Sequence, residues 1–409
     1  MNRRVLLVCQ YYYPSNAPGA HRCAKLAKYL PEFGWEPTVL CMQATPGNCE
    51  GTYDPKLEAS DTCEVVRVPY THPKERSPAK YLHDRVLRPC LKTYIPYRLY
   101  RRMLKRGRKL AREQQFDAIW ATSPSPMILN VARRISRSTG IPWIADMRDL
   151  AGETDSKPGI FMRWEMALER RAASGAAAFI TVTQHLADML ARHHDAPVRV
   201  IPNGFDPDDF PPGAQPSREQ FEIVYCGVIY SGRDPTPLFD ALDLLLQQGV
   251  DIGRLRVRFY GVLETSLDPL TAGHPCVHLV ENMGRVNYDE VIRIQQSASM
   301  LLLLPHAGVK GIMTSKVFEY LGARKPILSV PGDGDVTDAL LEETGAGVAA
   351  AHPAAIAELV GQWYRQWREG SDLPYGGKPD EIAKYTRRHQ AQHTAKLLDE
   401  VCAARSNAE

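Results

Sequence analysis

Short runs of apolar residues alternate along the chain with longer stretches in which apolar residues recur at helical spacing. This alternation predicts parallel strands covered by helices. A hydrophobic content of 44% with 24% charged residues is that of a globular protein and excludes a disordered or fibrous chain. The predicted strands are residues 5–9, 38–41, 65–68, 118–121, 143–146, 179–183, 198–201, 223–226, 256–260, 277–280, 300–304, 326–330 and 347–350.

These strands are too many for one compact sheet, and a proline-rich stretch lies where two sheets would separate. Residues 205–218 show neither helical nor strand periodicity, which is typical of a linker. We therefore predict two doubly wound α/β domains that face each other across a cleft, at residues 1–206 and 219–380, with 207–218 between them. Residues 381–409 are predicted to form a helix that packs back on the first domain. Ligands of such sheets bind at the carboxyl ends of the strands.

Positive charge is concentrated in one segment, from Lys74 to Arg112, which we call the basic segment. It holds fourteen basic and two acidic residues, a local charge of +12, whereas the whole chain carries only +3. Its basic residues alternate with leucine and tyrosine at helical spacing. That pattern fits a helix pair on an anionic membrane surface, and equally an ordinary solvated helix packed on the first domain. No nucleic-acid recognition motif accompanies the charge, so we predict no nucleic-acid partner.

Cysteine use and hydropathy indicate the cellular compartment. The nine cysteines are odd in number and form no Cys-x-x-Cys pair, so we expect reduced thiols and neither a disulfide framework nor a metal cluster. No run is long and apolar enough for a membrane-spanning helix, and the first residues lack the apolar core of a signal peptide. We therefore expect a cytoplasmic protein, peripheral on the inner membrane face if the basic segment binds lipid.

Two loops in the first half carry candidate residues. The loop after the first strand leads through Gly19 and His21 to Arg22 at the start of a helix, where a phosphate or a sugar can approach. An ordinary loop explains it as well, since the spacing of G-x-G-x-x-G is missing. Asp146 and Asp149 flank an arginine after a later strand. They either meet a ligand or form an ion pair that anchors the loop.

Two further loops flank the predicted linker. Asn203 and Gly204 follow a strand, and the pair either turns the chain or brings its backbone close to a ligand. Gly227 follows the first strand of the second domain, and Arg233 precedes the next helix. A cation together with the free N–H groups of a helix start suits a diphosphate.

The densest group of candidates lies in residues 301–320. A buried strand is followed by a glycine-bearing loop, and a helix then begins near Ser315 with Lys316 and Glu319 in its first turns. Free backbone N–H groups and the lysine charge suit a phosphate, whereas the carboxylate suits a hydroxyl pair such as a ribose diol. An exposed Lys316–Glu319 pair would explain the two charges but not the glycine loop.

Taken together, these stretches resemble glycosyltransferase family 4, whose members are retaining enzymes of the GT-B fold with two Rossmann-like domains. The resemblance runs over most of the chain and implies transfer of a sugar from a nucleotide-sugar donor to an acceptor, without a metal or a cofactor. Besides the N-terminal loop with Arg22, the motifs that carry it are D-x-R-D at 146–149, T-V-T at 181–183, I-P-N-G-F-D at 201–206, Y-C-G-x-x-Y at 225–230 and K-V-F-E-Y-L at 316–321.

The resemblance implies that the second domain holds the donor. Arg233 and Lys316 would stabilise the departing diphosphate, and Glu319, which matches the second Glu of the Glu-x7-Glu motif, would bind the ribose. The other donor-binding residues that it implies are Asn203, Gly227, Gly284, Arg285, Ile312, Met313, Thr314 and Ser315. The residues that would present the acceptor are Gly19, His21, Arg22, Asp146 and Asp149.

One departure from the family motif leaves alternatives open. Gly311 stands where the family often carries the first Glu of Glu-x7-Glu, so the donor sugar cannot be inferred. The leading interpretation is transfer to a glycan or lipid-linked acceptor in surface polysaccharide or glycoconjugate synthesis. The alternatives are a GT-B nucleotide-sugar isomerase or epimerase, and a non-catalytic glycosyltransferase-like partner protein. His21 and Asp149 are the candidates for a catalytic base.

Overall fold

The computed structural model describes the chain in nine stretches, and they fall into two units. One unit is Met1–Asn203 with Arg387–Glu409, and the other is Gly204–Thr386. Residues 74–96 of the basic segment and Tyr230 of the Y-C-G-x-x-Y motif lie outside the described residues. The described stretches are 2–49, 52–70, 97–122, 125–151, 159–213, 216–229, 232–306, 310–371 and 373–406.

The first unit contains a parallel sheet of seven strands in the order β3-β2-β1-β4-β5-β6-β7. Its strands are β1 (Arg3–Val8), β2 (Trp35–Met42), β3 (Glu64–Val68), β4 (Ala118–Thr122), β5 (Trp143–Asp146), β6 (Ala178–Thr181) and β7 (Val198–Val200). Its helices include α1 (Pro18–Tyr29), α2 (Tyr97–Glu113), α3 (Pro126–Thr139), α4 (Gly159–Ala173) and α5 (Gln184–Ala191). Apolar side chains from both faces of this sheet are buried under helices, which is why the strands read as continuous apolar runs.

The second unit contains a parallel sheet of six strands in the order β10-β9-β8-β11-β12-β13. Its strands are β8 (Phe221–Cys226), β9 (Leu255–Tyr260), β10 (Val280–Gly284), β11 (Met300–Leu303), β12 (Ile327–Ser329) and β13 (Gly347–Ala349). Its helices are α6 (Thr236–Gln247), α7 (Glu264–Thr271), α8 (Tyr288–Ser297), α9 (Lys316–Ala323), α10 (Val336–Thr344), α11 (Pro353–Arg368) and α12 (Pro379–Ala383) among the described residues.

The last helix, α13 (Arg387–Ser406), belongs to the first unit and packs against α1. Small residues on it, such as Ala391 and Ala395, lie in the same core as Cys23 and Ala27 of α1, so the two helices approach closely. Short 3-10 turns occupy Leu30–Phe33, Pro55–Leu57, Pro207–Asp209 and Pro275–Leu279. No helix of the described stretches is long and apolar enough to cross a bilayer.

Two local expectations differ from the structure. The strand predicted at residues 277–280 is wrong, because Pro275 begins a 3-10 turn there and the strand starts only at Val280. The carboxylate of Asp243 accepts the Cys276 N–H at 2.8 Å, which holds that turn. Residues 207–218 were expected to form a linker, yet Phe210 within them packs on the second unit. A Cβ atom on Gly322 of α9 would lie 2.4 Å from the Phe210 ring.

The described part of the basic segment is the helix α2. Its apolar residues, including Leu99, Met103 and Leu110, are buried in the core of the first unit. For these residues the structure therefore matches the interpretation of a solvated helix packed on the first domain. A lipid surface can meet only the basic face of α2, not the apolar one.

Candidate active site

Lys316 lies directly over Gly227 in the second unit. Lys316 is the first residue of α9, and Gly227 follows β8. A Cβ atom on Gly227 would fall 1.9 Å from Cε of Lys316 and 2.5 Å from its Nζ, and the φ angle of Gly227 is +146°. Only glycine fits here, and its presence lets the lysine side chain run across the carboxyl end of β8.

A second cation, Arg233, is buried close to Lys316. Its guanidinium donates to the hydroxyls of Tyr225 and Thr314, each at 3.4 Å. Burial and then the charge of Arg233 lower the pKa of Lys316 to about 8, while Glu319 acts in the opposite direction. Two cations held close together at a strand end attract an anion.

His306 also lies beside these cations, and the sequence interpretation missed it. A Cβ atom on Gly232 would lie 3.3 Å from Nδ1 of His306. Burial, together with the charges of Arg233 and Lys316, lowers the pKa of His306, so its imidazole is neutral at neutral pH. Its position just past the carboxyl end of β11 was the signal that could have identified it.

The loop before α9 supplies backbone donors next to the two cations. The N–H groups of residues 312–315 form no hydrogen bond with any residue that the structure describes. The hydroxyl of Ser315 does not cap the helix. Uncommitted N–H groups at a helix start, joined by a lysine, are the donors that hold a phosphate.

Glu319 and Lys316 are both half-buried, so they do not form the exposed pair that was the alternative interpretation. The Glu319 carboxylate accepts a hydrogen bond from Nε2 of Gln295, on α8, at 3.4 Å. Gln295 is fully buried. The carboxylate is therefore held near the start of α9, where it can accept hydrogen bonds from a hydroxyl pair.

Gly311 has a backbone shape that favours glycine. Its φ angle is +77°, and its N–H donates to the carboxylate of Asp335 at 2.5 Å. Asp335 lies in the loop between β12 and α10. A glutamate at position 311 would have to adopt this left-handed conformation, which costs about 1–2 kcal/mol for residues with a Cβ atom.

Glycines connect the neighbouring strand ends of the second unit. The N–H of Gly227 donates to the Tyr260 carbonyl, and the N–H of Gly261 to the Gly284 carbonyl, each at 2.7 Å. Gly227 and Gly284 thus lie along one edge of the sheet. Arg285 is exposed, and no hydrogen bond or ion pair joins it to another described residue.

In the first unit, Arg22 and Asp146 form a buried ion pair. Nη2 of Arg22 lies 2.8 Å from Oδ1 of Asp146, and Nε lies 3.1 Å from Oδ2. The Thr122 hydroxyl donates to the same carboxylate at 2.7 Å. The guanidinium also reaches the carbonyl of Ile201 and, at 3.3 Å, Oδ1 of Asn203. Asn203 therefore lies beside Arg22 and Asp146 in the first unit.

The other residues predicted on the acceptor side are spread around this pair. Gly19 is the second residue of α1, and a Cβ atom there would lie 3.1 Å from Nη2 of Arg148. Arg148 in turn lies 4.0 Å from Asp146. Asp149 is exposed. Arg148 is the arginine that the two aspartates flank in the sequence, and its guanidinium lies between Gly19 and Asp146.

His21 is held by two residues of the loop that precedes α1. Its Nε2 is bonded to Oδ1 of Asn16, so Nδ1 is the nitrogen that accepts from the Tyr13 hydroxyl, at 3.2 Å. The pKa of His21 is lowered to about 4, mainly by burial and further by the charges of Arg387 and Lys25. The ring is therefore neutral at neutral pH, with both nitrogens engaged.

One group of described residues has the spacing for a metal ion, namely Asp243, His274 and Cys276. The Asp243 carboxylate already accepts from Nδ1 of His274 at 2.7 Å and from the Cys276 N–H at 2.8 Å. Burial raises the pKa of the Cys276 thiol to about 12, which opposes the thiolate that a metal requires. These contacts stabilise a turn, and the group is distinct from the cations around Lys316.

Comparisons with known proteins agree with this architecture. Residues 19–204 match the family model of the glycosyl transferase 4-like domain. Sucrose-phosphate synthase from Thermosynechococcus elongatus has a similar structure at 13% identity, with a TM-score of 0.63 over 98% of this chain and 100% of that one. HepE from Anabaena, in complex with UDP-glucose, is similar at 14% identity, with a TM-score of 0.55 over 99% and 100%.

A structure of another activity shares the fold as well. A UDP-N-acetylglucosamine 2-epimerase is similar at 12% identity, with a TM-score of 0.56 over 97% of this chain and 96% of the epimerase. No curated protein sequence matches the chain significantly. The two parallel-sheet units define a protein of the GT-B fold, which confirms the predicted fold class. The match of residues 19–204 to the glycosyl transferase 4-like domain confirms the predicted resemblance to glycosyltransferase family 4.

Proposed function

We propose that the protein is a retaining, metal-independent glycosyltransferase that moves a sugar from a nucleotide-sugar donor to a glycan or lipid-linked acceptor. The observation that carries the proposal is the pair of neighbouring cations, Lys316 and Arg233, beside the uncommitted N–H groups of residues 312–315. As the sugar leaves, the diphosphate gains negative charge. Positioned cations and N–H groups stabilise that charge, which is the task a metal ion performs in other enzymes.

The donor would lie at the carboxyl edge of the second sheet. The diphosphate would lie beside Lys316 and the N–H groups before α9, and the Glu319 carboxylate would accept hydrogen bonds from the ribose hydroxyls. Gly284 and Arg285 would flank the base. The complex of HepE with UDP-glucose supports a uridine nucleotide sugar as the first donor to test.

The acceptor would meet the first unit. We propose that Gly19, His21, Arg22, Asp146 and Asp149 shape this side, with Arg22 and Asp146 acting as the buried frame. Asp149 is the exposed carboxylate of the set. We further propose that the product is a surface polysaccharide or glycoconjugate, and that the basic segment brings the protein to the anionic inner face of a membrane.

Nucleotide release measures the proposed reaction directly. The protein is mixed with a panel of nucleotide sugars, with and without lipid-linked acceptors, and both the released nucleotide and the product mass are followed. Lys316→Ala should abolish release, whereas Lys378→Ala, which removes an exposed lysine bonded to the Glu343 carbonyl, should not. NMR of the anomeric proton reports retention, and a chelator should leave the rate unchanged. Binding of no donor by the unmodified chain would overturn the proposal.

The isomerase alternative is favoured by the fold shared with an epimerase and by Gly311 in place of a carboxylate. An isomerase would convert the nucleotide sugar into an isomer without any acceptor, and the same mass and NMR measurements would detect it. A non-catalytic partner would bind the nucleotide sugar and leave it unchanged.

A further inference from the structure

A groove rich in arginine runs along the outer face of the helices α2, α3 and α4 in the first unit. Its volume is about 720 Å³. Most of its lining comes from one face of α3, where residues three or four apart follow one another, and the rest from α2 and α4. We call it the arginine groove, and its five guanidinium groups belong to Arg108, Arg133, Arg134, Arg137 and Arg171.

No acidic residue lines the arginine groove, and none of its five guanidinium groups forms an ion pair with another described residue. The hydrogen bonds of Arg133 and Arg134 go to neutral groups, the Asn130 amide oxygen at 3.2 Å and the Tyr100 hydroxyl at 3.3 Å. Burial and the charges of Arg137, Arg171 and Arg134 lower the pKa of Arg133. The hydrogen bond to Tyr100 raises the pKa of Arg134, so the like charges act on Arg133 in particular.

The groove is built into the fold. Gly107 lets α2 approach α3 closely, since a Cβ atom there would lie 2.4 Å from Cδ1 of Ile135. Arg108 follows it and is thereby placed against α3, on the same side as Arg133. Arg134, Arg137 and Arg171 are exposed along the groove, so their guanidinium groups can reach a ligand from solvent.

We propose that the arginine groove binds phosphate groups. Guanidinium groups match phosphate oxygens with two parallel hydrogen bonds, and several of them in one concave surface select a highly charged phosphate ligand. The groove is separate from the cations around Lys316, which belong to the other unit, so it does not depend on glycosyl transfer. It rests on the proposed membrane contact of the basic segment, to which Arg108 belongs, and adds a phosphate site outside that segment on α3 and α4.

Two neighbouring features indicate a phospholipid headgroup as the source of the phosphate. A second, mainly basic hollow along α2 shares Arg108 with the arginine groove and adds Arg101, Lys105 and Arg112, together with the ion pair Lys109–Glu113. Trp164, on α4 one turn before Leu168 of the groove lining, is 48% exposed. Exposed tryptophan beside basic residues is typical of proteins at a lipid headgroup layer. A soluble phosphate ester offers the same chemistry and is the other source to test.

The test measures retention on phosphatidylcholine vesicles with and without phosphatidylglycerol, and the binding of inorganic pyrophosphate by calorimetry. Arg134→Gln with Arg137→Gln should weaken retention on the anionic vesicles about 30-fold, since each basic residue near such a surface contributes roughly 1 kcal/mol. The matched control removes the same charge from exposed positions of the same unit, Arg192→Gln with Lys396→Gln, and should stay within about twofold of the unmodified chain.

Replacing Arg134 and Arg137 by lysine keeps the charge but removes the paired hydrogen bonds. Weaker pyrophosphate binding by this variant supports a phosphate site. If the unmodified chain is not retained on anionic vesicles, but binds pyrophosphate and loses that binding in the glutamine variant, the source is a soluble phosphate ester. Equal binding by the lysine, glutamine and unmodified chains overturns the proposal. Donor binding through Lys316, measured in the same variants, should be unchanged, so failure of the groove is distinguished from failure of the proposed transferase.

Discussion

Each unit places an arginine after the first strand of its sheet, and the two arginines have different surroundings. In the first unit, Arg22 follows β1 and forms a buried ion pair with Asp146 at 2.8 Å. In the second unit, Arg233 follows β8, donates to the hydroxyls of Tyr225 and Thr314, and lies close to Lys316. In the first unit, Arg22 and Arg148 both face the buried Asp146 carboxylate, which offsets their charge. In the second unit, Arg233 lowers and Glu319 raises the pKa of Lys316, and two cations at one strand end attract an anionic ligand.

The residues at equivalent strand ends explain the difference. In the first unit, β5 lies two strands from β1, beyond β4. In the second unit, β12 lies two strands from β8, beyond β11. Strand β5 ends in Asp146 and strand β12 in Ser329. A serine supplies no charge, so the second unit lacks at this place the carboxylate that neutralises Arg22 in the first. The same fold thus holds a structural ion pair in one unit and a candidate anion site in the other.

The largest effect is expected for Asp146→Ala. The substitution leaves the Arg22 guanidinium buried without its partner, which typically lowers the free energy of unfolding by about 3–5 kcal/mol. Urea denaturation followed by circular dichroism measures the change. The control is Asp149→Ala in the same loop, which is exposed and should stay within about 0.5 kcal/mol. Equal effects of the two substitutions would contradict a structural role for the ion pair.

Lys316→Ala should weaken ligand binding and leave stability unchanged. It removes a partly buried cation beside Arg233, so the free energy of unfolding should not fall. Binding of UDP should weaken by about 1.5–3 kcal/mol, roughly 10- to 150-fold, the contribution of a hydrogen bond to a charged group. Titration of the nucleotide, together with urea denaturation, separates the two effects. Loss of stability without loss of binding would make Lys316 a structural residue like Arg22.

Most of the fold was predictable because buried parallel strands have an unmistakable apolar pattern. Strand β5 occupies the residues predicted for it, and the helix α9 begins next to Ser315 as expected. The strand placed at residues 277–280 was wrong because the apolar Val277 and Leu279 fit a 3-10 turn equally well. Pro275 begins the turn, and Asp243, more than thirty residues away in sequence, holds it by accepting the Cys276 N–H.

The candidate site was predictable in composition but not in arrangement. The glycine loop and Lys316 stand out in the sequence, yet the contact between Lys316 and Gly227 joins segments that are far apart along the chain. The same is true of His306 beside Gly232, and of Asn203 beside Arg22. Such pairs depend on which strand ends are neighbours in the sheet, and spacing in the sequence does not give that order.

Donor binding should also depend on pH, because Lys316 of the second unit titrates near neutral pH. The pKa of Lys316 is lowered to about 8, so the lysine is charged below that pH and neutral above it. Affinity for a nucleotide sugar should therefore fall as the pH rises through about 8, by up to tenfold per pH unit. His306 stays neutral over this range because its pKa is lowered. Calorimetric titration on either side of pH 8 measures the fall, and a flat profile would contradict the role of Lys316.

The control for the pH experiment is the variant Lys316→Ala. Without the lysine, the affinity should be weak at every pH and should not change around pH 8. A fall of the same size in this variant would assign the titration to another group in the second unit.

The smallest effect is expected for Gly311→Glu, which restores the carboxylate that the family motif carries. Because Gly311 has a φ of +77°, the substitution should lower the free energy of unfolding by about 1–2 kcal/mol. The new side chain would also stand near Asp335, whose carboxylate accepts the N–H of residue 311. We therefore expect no gain in sugar transfer, measured as nucleotide release. A gain would instead indicate that the unmodified chain is a non-catalytic partner, whose second unit binds a nucleotide but lacks the carboxylate needed for transfer.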